Sequence, residues 1–197
     1  MKKRQKPPMM AVALEGASRW CIDDDVRLAS LSANGDARAF QVLYERHYSR
    51  VFTLARGVLL DHDEALDATQ EVFLILYKNI GRFDGRSQFS TWLYRVALNR
   101  CIQQARKLRP KRLLEVDLES QTIGIQGETW ESEPDTGIDR ALARLDPNDR
   151  AVLALFYWEE QSLKEIGDAL GCKANAAKTR LFRARERLKA LLESEGP

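Results

Sequence analysis

Apolar residues recur every three or four positions in several stretches of the chain, which is the spacing of an amphipathic helix. The first stretch begins after Asp36, a residue suited to cap a helix N-terminus, and runs to Val58. A second begins near Asp63 and is stopped by Gly81, because glycine readily takes the left-handed backbone that ends a helix. The pattern predicts two long helices in the first half of the chain.

A third helix is predicted after a loop with two glycines, "GRFDGRSQ", at residues 81–88. It opens at Ser90 or Thr91 and ends before Pro110, because the residue preceding a proline is pushed out of helical geometry. Together the three helices predict one all-helical domain over about residues 23–110.

The chain changes character between residues 111 and 137. The segment "EVDLESQTIGIQGETWESEPDTG" holds seven acids and no base, and it shows little periodicity. This composition favours a flexible acidic linker. We expect the linker to join two small helical domains, so the predicted fold class is all-α.

Helical spacing returns at Ile138, and a second helical domain is expected over residues 138–197. Asp146 followed by Pro147 supplies a capping residue and a proline at the first helical position. We expect a helix to begin there.

A helix-turn-helix is predicted near the end of the chain. Ser162 and Glu165 form an S-x-x-E capping box, and Gly171 supplies the turn that ends the short helix. A second helix follows, and its apolar face consists of Ala177, Leu181, Ala184, Leu188 and Leu191. The capping box, the turn glycine and the density of basic residues favour a DNA-binding helix-turn-helix over a solvated basic face.

The outward face of this second helix carries the side chains that a major groove would meet. Base contacts are assigned to Thr179, Phe182 and Arg183. Phosphate contacts are assigned to Lys178, Arg180, Arg185 and Lys173. The division follows from the general rule that base edges specify sequence, whereas flanking cations position the protein.

Composition places the chain among globular proteins. Of its 197 residues, 44% are apolar and 30% are charged, and the net charge of +2 conceals separate basic and acidic segments. Cys21, Cys101 and Cys172 lie far apart in sequence, without the spacing of a zinc site or a disulfide framework. We expect reduced, buried thiols in a cytoplasmic protein.

The N-terminus "MKKRQKPPMMAVALEG" is charged, but its apolar run from Met9 to Leu14 is short and ends at Glu15. A secretion signal is not expected from this pattern. No stretch approaches the roughly 20 apolar residues that span a bilayer, so membrane insertion is not expected either. Residues 1–22 are interpreted as a mobile extension.

One stretch, from Gln88 to Arg112, mixes three aromatic residues with seven basic ones and holds no acid from Thr91 onward. Aromatic rings stack on unpaired bases, and cations follow a phosphate backbone. This stretch therefore favours contact with nucleic acid.

Three motifs follow one another along the chain: "DATQEVF", then "FDGRSQFSTWLYRVALNR", then "KTRLFRARERL". In this order they resemble the extracytoplasmic function (ECF, group 4) sigma factors of the bacterial sigma-70-type family, from about Asp36 to Leu192. The resemblance implies a sigma region 2-like bundle followed by a sigma region 4-like helix-turn-helix. It also implies a protein that binds core RNA polymerase, recognises the minus-10 and minus-35 promoter elements and promotes promoter opening.

The resemblance also assigns roles to particular residues. Docking on the β′ clamp helices of core polymerase falls to Asp67, Gln70, Glu71 and Phe73. Contact with minus-10 DNA falls to Arg86, Ser87, Gln88, Phe89, Trp92, Tyr94, Arg95 and Asn99. If one of the two aromatic residues Trp92 and Tyr94 lies in the core instead of binding DNA, we expect it to be Trp92. Contact with minus-35 DNA falls to Lys178, Thr179, Arg180, Phe182 and Arg183.

Further partners follow from the family. These are the polymerase β subunit and an anti-sigma factor, with the free protein a monomer that needs no cofactor. The recognition helix departs from the family where "NAAKTR" replaces a Gly-Thr-Val run, so promoter specificity does not carry over.

Two other functions fit parts of the sequence. A helix-turn-helix regulator would bind duplex DNA without core polymerase. A metal-dependent enzyme is suggested by "DHDEALD", with Asp61, His62, Asp63, Glu64 and Asp67, but acids in the first turn of a helix are explained by the helix dipole. We expect neither catalysis nor a required metal.

Overall fold

The computed structural model describes residues 22–119 and 137–194, and every regular element within them is a helix. This confirms the all-α fold class. In chain order the elements are α1 (Ile22–Ala33), α2 (Ala37–Leu59), α3 (His62–Asn79), a 3₁₀ helix (Ile80–Arg82), α4 (Phe89–Glu119), α5 (Gly137–Arg144), α6 (Pro147–Tyr157), α7 (Leu163–Ala169) and α8 (Ala174–Ser194). The predicted N-terminal extension and most of the predicted linker lie outside the described residues.

Asp36 caps α2 as predicted, and Asp61, which was not predicted as a cap, begins α3. Asp36 accepts hydrogen bonds from the backbone N–H groups of Arg38 and Ala39, at 2.9 and 3.2 Å. Asp61 caps α3 in the same way, accepting from the N–H of Glu64 at 2.9 Å. These bonds satisfy backbone donors that have no partner inside the helix, so each helix starts where its cap stands.

α1 was not foreseen from the sequence, and polar contacts hold it on α2. The carboxylate of Asp25 lies 2.8 Å from Nε2 of His47 and forms an ion pair with Arg46. Burial alone would raise the pKa of Asp25, but the hydrogen bond and charge of His47, together with Arg46, outweigh it and lower the pKa. The ionised carboxylate therefore fastens the N-terminal helix to the bundle.

The predicted end of the third helix before Pro110 is wrong, because α4 continues to Glu119. A proline inside a helix removes only one backbone donor, although its ring strains the preceding turn. The residues after it, "KRLLEVDLE", are mostly good helix formers, which favours continuation. At about 1.5 Å per residue, α4 is a rod of about 46 Å.

In the second half of the chain, the capping residues again act as predicted. Asp146 accepts from the N–H of Asn148, and Pro147 opens α6. Ser162 and Glu165 form both bonds of the capping box at the start of α7. Gly171 has φ of +66°, the left-handed conformation expected of it, and separates α7 from α8.

The two halves of the described chain pack against each other. Helix α2 contacts α6, and α4 contacts α5, α6 and α7. Ala151, Ala154 and Leu155 of α6 and Ile166 of α7 are buried in the same apolar cluster as the core of the first four helices. A smaller cluster, which includes Leu181 and Ala184 of α8, completes the second half.

Candidate functional site

One face of α3 carries polar residues beside an exposed leucine. Asp67, Gln70 and Glu71 are exposed, and Leu74 is 58% exposed. Arg100 of α4 forms an ion pair with Glu71 and its hydrogen bond lowers the pKa of that carboxyl. This face is exposed to solvent, and the ion pair with Arg100 keeps the Glu71 carboxylate ionised.

Phe73 does not share this face, because it is only 3% exposed. Its ring centroid lies 4.6 Å from that of Tyr44 and 6.2 Å from that of Tyr48, both on α2. The structure therefore corrects the prediction of direct contact through Phe73: the side chain supports the face from below.

Sequence reasoning missed Tyr77, which is 57% exposed and follows Gln70 by seven residues and Leu74 by three. Those intervals place all three on one side of the helix. Phe40 of α2 packs edge-on against Tyr77, with ring centroids 5.0 Å apart. The helical spacing itself could have added Tyr77 to the predicted set.

The loop before α4 exposes some of its predicted residues and buries another. Arg86 and Gln88 are exposed and Ser87 is half-buried. Phe89 is only 1% exposed, with its ring centroid 5.4 Å from that of Phe83 and 5.3 Å from that of His47. The structure therefore corrects the placement of Phe89 at the surface of a base pocket, because this ring forms part of the core beneath the loop.

A groove of about 330 Å³ runs beside this loop, between α1 and the 3₁₀ helix. It is lined by Val26, Ala29 and Ser30 on one side and by Phe83 and Gly85 on the other. Because α1 was not predicted, neither was this groove. Its lining mixes apolar and polar side chains, and it adjoins the exposed loop, so it belongs to the same surface.

The aromatic residues at the start of α4 lie in different environments. Tyr94 is 1% exposed, whereas Trp92 is half-buried with its ring centroid 5.5 Å from that of Phe83. The expectation that Trp92 is the core residue of the pair is therefore wrong in this arrangement. Tyr94 is the more buried because helix α6 and the turn after it cover that side of α4.

Two of the predicted minus-10 residues bind the second half of the chain. The hydroxyl of Tyr94 donates to Oε2 of Glu159 at 2.5 Å, and Nη2 of Arg95 donates to the carbonyl oxygen of Asp168 at 2.5 Å. Burial first, and the bond to Glu159 second, raise the pKa of Tyr94, so it stays protonated as a donor. Asn99 is exposed.

Helix α8 presents the predicted recognition residues to solvent. Ala177, Leu181 and Ala184 face inward as predicted. The exposed residues on the opposite side are Lys178, Thr179, Arg180, Phe182 and Arg183, with Phe182 63% exposed. An exposed phenylalanine flanked by cations on a helix that follows a turn is the arrangement a major groove accepts.

Two side chains near this surface are engaged within the chain. The guanidinium carbon of Arg185 lies 4.9 Å from the ring centroid of Phe156 and 5.2 Å from that of Tyr157. Thr179 donates from Oγ1 to the carbonyl oxygen of Asn175 at 3.0 Å. The cation–π contacts hold Arg185 over α6, while Thr179 keeps the lone pairs of its hydroxyl available for a donor.

No group of three or more potential metal ligands occurs among residues 22–119 and 137–194. In the same ranges no helix is both long and apolar enough to cross a bilayer. Cys101 is fully buried, which raises the pKa of its thiol to about 12, and Cys172 is half-buried.

Comparison with known proteins gives consistent matches over most of the chain. The family model described as Sigma-70 region 2 matches residues 43–110, and that described as Sigma-70, region 4 matches residues 136–188. The ECF RNA polymerase sigma factor SigW of Bacillus subtilis is 33% identical over 174 residues, which cover 80% of this chain and 91% of SigW. The ECF RNA polymerase sigma factor SigM of Mycobacterium tuberculosis is 30% identical over 170 residues, which cover 85% of this chain and 84% of SigM.

Two solved structures resemble the fold. The structure of CnrH in complex with the cytosolic domain of CnrY has a TM-score of 0.64 at 27% identity and covers 88% of this chain and 99% of CnrH. The sigma factor RpoE in complex with the anti-sigma factor NepR, from Bartonella quintana, has a TM-score of 0.57 at 23% identity and covers 80% of this chain and 98% of RpoE. The second likeness concerns the fold alone.

Proposed function

The chain belongs to the extracytoplasmic function (ECF) group of sigma-70 family sigma factors, and from that premise we propose how its exposed faces bind core polymerase and promoter DNA. A sigma factor of this group binds core RNA polymerase, recognises the minus-10 and minus-35 elements and promotes promoter opening. The observation that carries the residue assignments is the exposure of three separate faces, on α3, on the loop before α4 and on α8.

The α3 face is proposed to dock on the β′ clamp helices of core polymerase. Asp67, Gln70 and Glu71 supply the polar contacts and Leu74 supplies exposed apolar area. The ion pair from Arg100 keeps Glu71 charged and oriented, so little side-chain freedom is lost on binding. Phe73 acts by holding the helix in place through its packing on α2.

The minus-10 element is proposed to bind the loop before α4 and the first turns of that helix. Arg86, Ser87 and Gln88 reach the strand from the loop, and Trp92, Arg95 and Asn99 reach it from α4. Unstacking a base requires a few kcal/mol, and stacking on an aromatic side chain returns about 1–3 kcal/mol. The half-buried ring of Trp92 packs beside Phe83 of the loop and offers an aromatic surface there, and Phe89 supports the loop from the core.

The minus-35 element is proposed to receive α8 in its major groove. Thr179, Phe182 and Arg183 reach base edges, and Lys178 and Arg180 contact phosphates. Such phosphate contacts release counterions, so binding falls steeply with added salt. Arg185 is assigned a supporting role, because its cation–π contacts keep it over α6.

Four further properties belong to the same proposal. The protein performs no covalent chemistry, works in the cytoplasm, contacts the polymerase β subunit and is a monomer when free. Control by an anti-sigma factor is proposed because the solved structure of CnrH holds a bound protein partner, the cytosolic domain of CnrY. The faces that bind polymerase and DNA are the natural targets of such a partner.

The test is binding to purified core polymerase with a matched pair of leucine variants. Leu74→Ala removes an exposed side chain from the α3 face, and Leu31→Ala removes one that is 39% exposed on α1, outside that face. Loss of an interface anchor weakens binding by about tenfold. We expect that loss for Leu74→Ala and wild-type affinity for Leu31→Ala.

Transcription from mapped start sites completes the test. After overproduction of the protein, the new start sites are expected to share two upstream elements, which would identify both promoter sequences. A chain that binds duplex DNA but neither associates with core polymerase nor supports any transcription would instead be a helix-turn-helix regulator.

A further inference from the structure

His47 of α2 lies where three helices meet. Its side chain is buried, with Nε2 2.8 Å from Oδ2 of Asp25 on α1 and its ring centroid 5.3 Å from that of Phe89, the first residue of α4. A polar side chain is unfavourable in a core unless it is hydrogen-bonded, and here the carboxylate of Asp25 supplies the bond. One side chain of α2 therefore contacts both α1 and the start of α4.

Phe89 belongs to a cluster of three rings that fixes both ends of the loop before α4. Phe83 stands at the start of the loop and Phe89 at its end, and their rings pack edge-on with centroids 5.4 Å apart. Trp92 contacts both, with its ring centroid 5.5 Å from that of Phe83 and 6.0 Å from that of Phe89. Residues 84–88 lie between these anchors, so a displacement of Phe89 would move the segment that is proposed to meet the minus-10 strand.

The same histidine holds α1, which faces the loop from the other side. Val26 follows Asp25 along the chain and lines the groove together with Phe83 of the loop. A Cβ atom on Gly85 would lie 3.8 Å from Cγ1 of Val26, which is an ordinary van der Waals distance. The backbone of the loop therefore lies against α1, and the bond between His47 and Asp25 keeps α1 in that place.

Two local features fix the shape of the loop but not its place in the bundle. Oδ1 of Asp84 accepts a hydrogen bond from the N–H of Arg86 at 3.1 Å, and Gly85 has a left-handed φ of +72°. Both features act within three residues, so they form the turn without any contact to the helices. The place of the loop depends instead on the three rings and on His47.

We propose that His47 is a positioning residue for promoter opening: through its contacts with α1 and α4 it holds residues 84–88 where they capture an unpaired base of the minus-10 element. This inference rests on the proposed assignment of the loop to that element. Only molecules whose loop is in place capture the base, so the opening rate falls in proportion to their fraction. The initial binding of duplex promoter relies on α8 and on phosphate contacts, and it is expected to stay unchanged.

The test uses the full chain bound to core polymerase, with two variants that break the same bond from either side. His47→Phe keeps a ring against Phe89 but cannot form a hydrogen bond with the carboxylate, whereas Asp25→Ala removes the carboxylate itself. A double variant combines the two changes. Because both substitutions remove one bond, the double variant should lose no more than either single variant.

Two further variants serve as controls. Asp24→Ala removes the same charge from the neighbouring residue of α1, which pairs with Arg46 at 3.3 Å rather than with His47. Thr69→Ala controls for a general loss of stability in the first half of the chain. It removes a buried hydrogen bond within α3, from Oγ1 of Thr69 to the carbonyl oxygen of Ala65 at 2.7 Å.

Opening is followed on a promoter duplex taken from the mapped start sites, with 2-aminopurine in place of one base of the minus-10 element. This base becomes brighter when it unstacks, and its rate of brightening is measured at increasing holoenzyme concentration. The half-saturating concentration reports initial binding, and the plateau rate reports opening. A hydrogen bond to a charged acceptor is worth about tenfold in an equilibrium. We therefore expect His47→Phe and Asp25→Ala to lower the plateau rate about tenfold at an unchanged half-saturating concentration, with both controls equal to wild type.

Wild-type plateau rates in His47→Phe and Asp25→Ala would overturn the role of His47, and so would a loss confined to the half-saturating concentration. Equal slowing by either control would overturn it as well, because the cause would then be charge or stability. A double variant slowed by the product of the two single effects would show that they are separate. If the wild-type holoenzyme opens no promoter, the proposed function is refuted and this inference with it. If the wild type opens the promoter and the variants match it, only the role of His47 is refuted.

Discussion

The contact between Asp25 and His47 gives the most direct test of what holds α1 on the bundle. Asp25→Asn keeps the shape of the side chain and removes its charge, while the neighbouring helices are unaltered. The two wild-type side chains are 15% and 6% exposed, so water screens their interaction only weakly. Arg46 forms an ion pair with the same carboxylate, and its contribution weakens with the same substitution.

The expected loss can be estimated from these contacts. A hydrogen bond to a charged group contributes about 1.5–3 kcal/mol to the free energy of unfolding, and about 2 kcal/mol is expected here. For a cooperative unit of 150–250 residues, 1 kcal/mol corresponds to about 2–4 °C, so the melting temperature should fall by about 4–8 °C at pH 7. Thermal unfolding followed by circular dichroism measures this directly.

The pH dependence gives an independent check. The pKa of Asp25 is lowered in the folded protein, so its contribution is present above the unfolded value of about 4 and is lost as the pH falls through the folded value. The difference between wild type and Asp25→Asn should therefore be present at pH 5 and shrink below pH 4.

Asp84→Asn is the matched control. Its ion pair with Arg86 is local and exposed, with side chains 59% and 89% accessible, and such pairs contribute about 0–1 kcal/mol. A fall of less than 1 °C for Asp25→Asn at pH 7, or a fall equal to that of Asp84→Asn, would refute the role of Asp25. An unchanged difference at pH 3 would refute its electrostatic origin.

Three further predictions concern other parts of the fold. Ser162→Ala removes the capping box of α7 and should lower the free energy of unfolding by about 1 kcal/mol in urea titrations, whereas an unchanged midpoint would show that the cap is dispensable. Phe182→Ala should weaken binding to promoter duplex by about tenfold with little change in stability, whereas Leu181→Ala, at a site 4% exposed, should lower stability by about 2–5 kcal/mol. Iodoacetamide at pH 8 should modify Cys172 but not Cys101, because burial raises the pKa of Cys101 to about 12, and peptide mapping of native protein that found Cys101 alkylated would contradict its burial.

Local features of the fold were predictable because their causes are local. The caps at Asp36, Asp146 and Ser162 and the left-handed Gly171 each act within a few residues, and each lies where the sequence places it. The inward face of α8 follows from helical spacing in the same way. By contrast, the end of α4 depends on whether a single proline outweighs the helix formers around it, and in this chain it does not.

Features that depend on contacts between residues far apart in the chain could not be predicted from the sequence. Helix α1 is fixed by Asp25 on His47, which are 22 residues apart, and Tyr94 is buried by Glu159, which is 65 residues away. The sequence of α4 alone could not decide between Trp92 and Tyr94, because the covering surface belongs to the second half of the chain. For the same reason, the polar face of α3 was predictable while the burial of Phe73 under α2 was not.

The two halves of the chain meet where Trp158 closely approaches Gly57, and this contact sets an order of events during synthesis. The ribosome adds about 5–20 residues per second, and Trp158 follows Gly57 by about 100 residues, so Gly57 is made about 5–20 s before its partner. In the later part of this interval, once α4 has been made, the first four helices have nothing to cover the start of α4, although most of their core residues are already present. A nascent chain therefore exposes the start of α4, which the second half of the finished chain covers. A partner that binds there during translation displaces only water, because the second half of the chain has not yet been made.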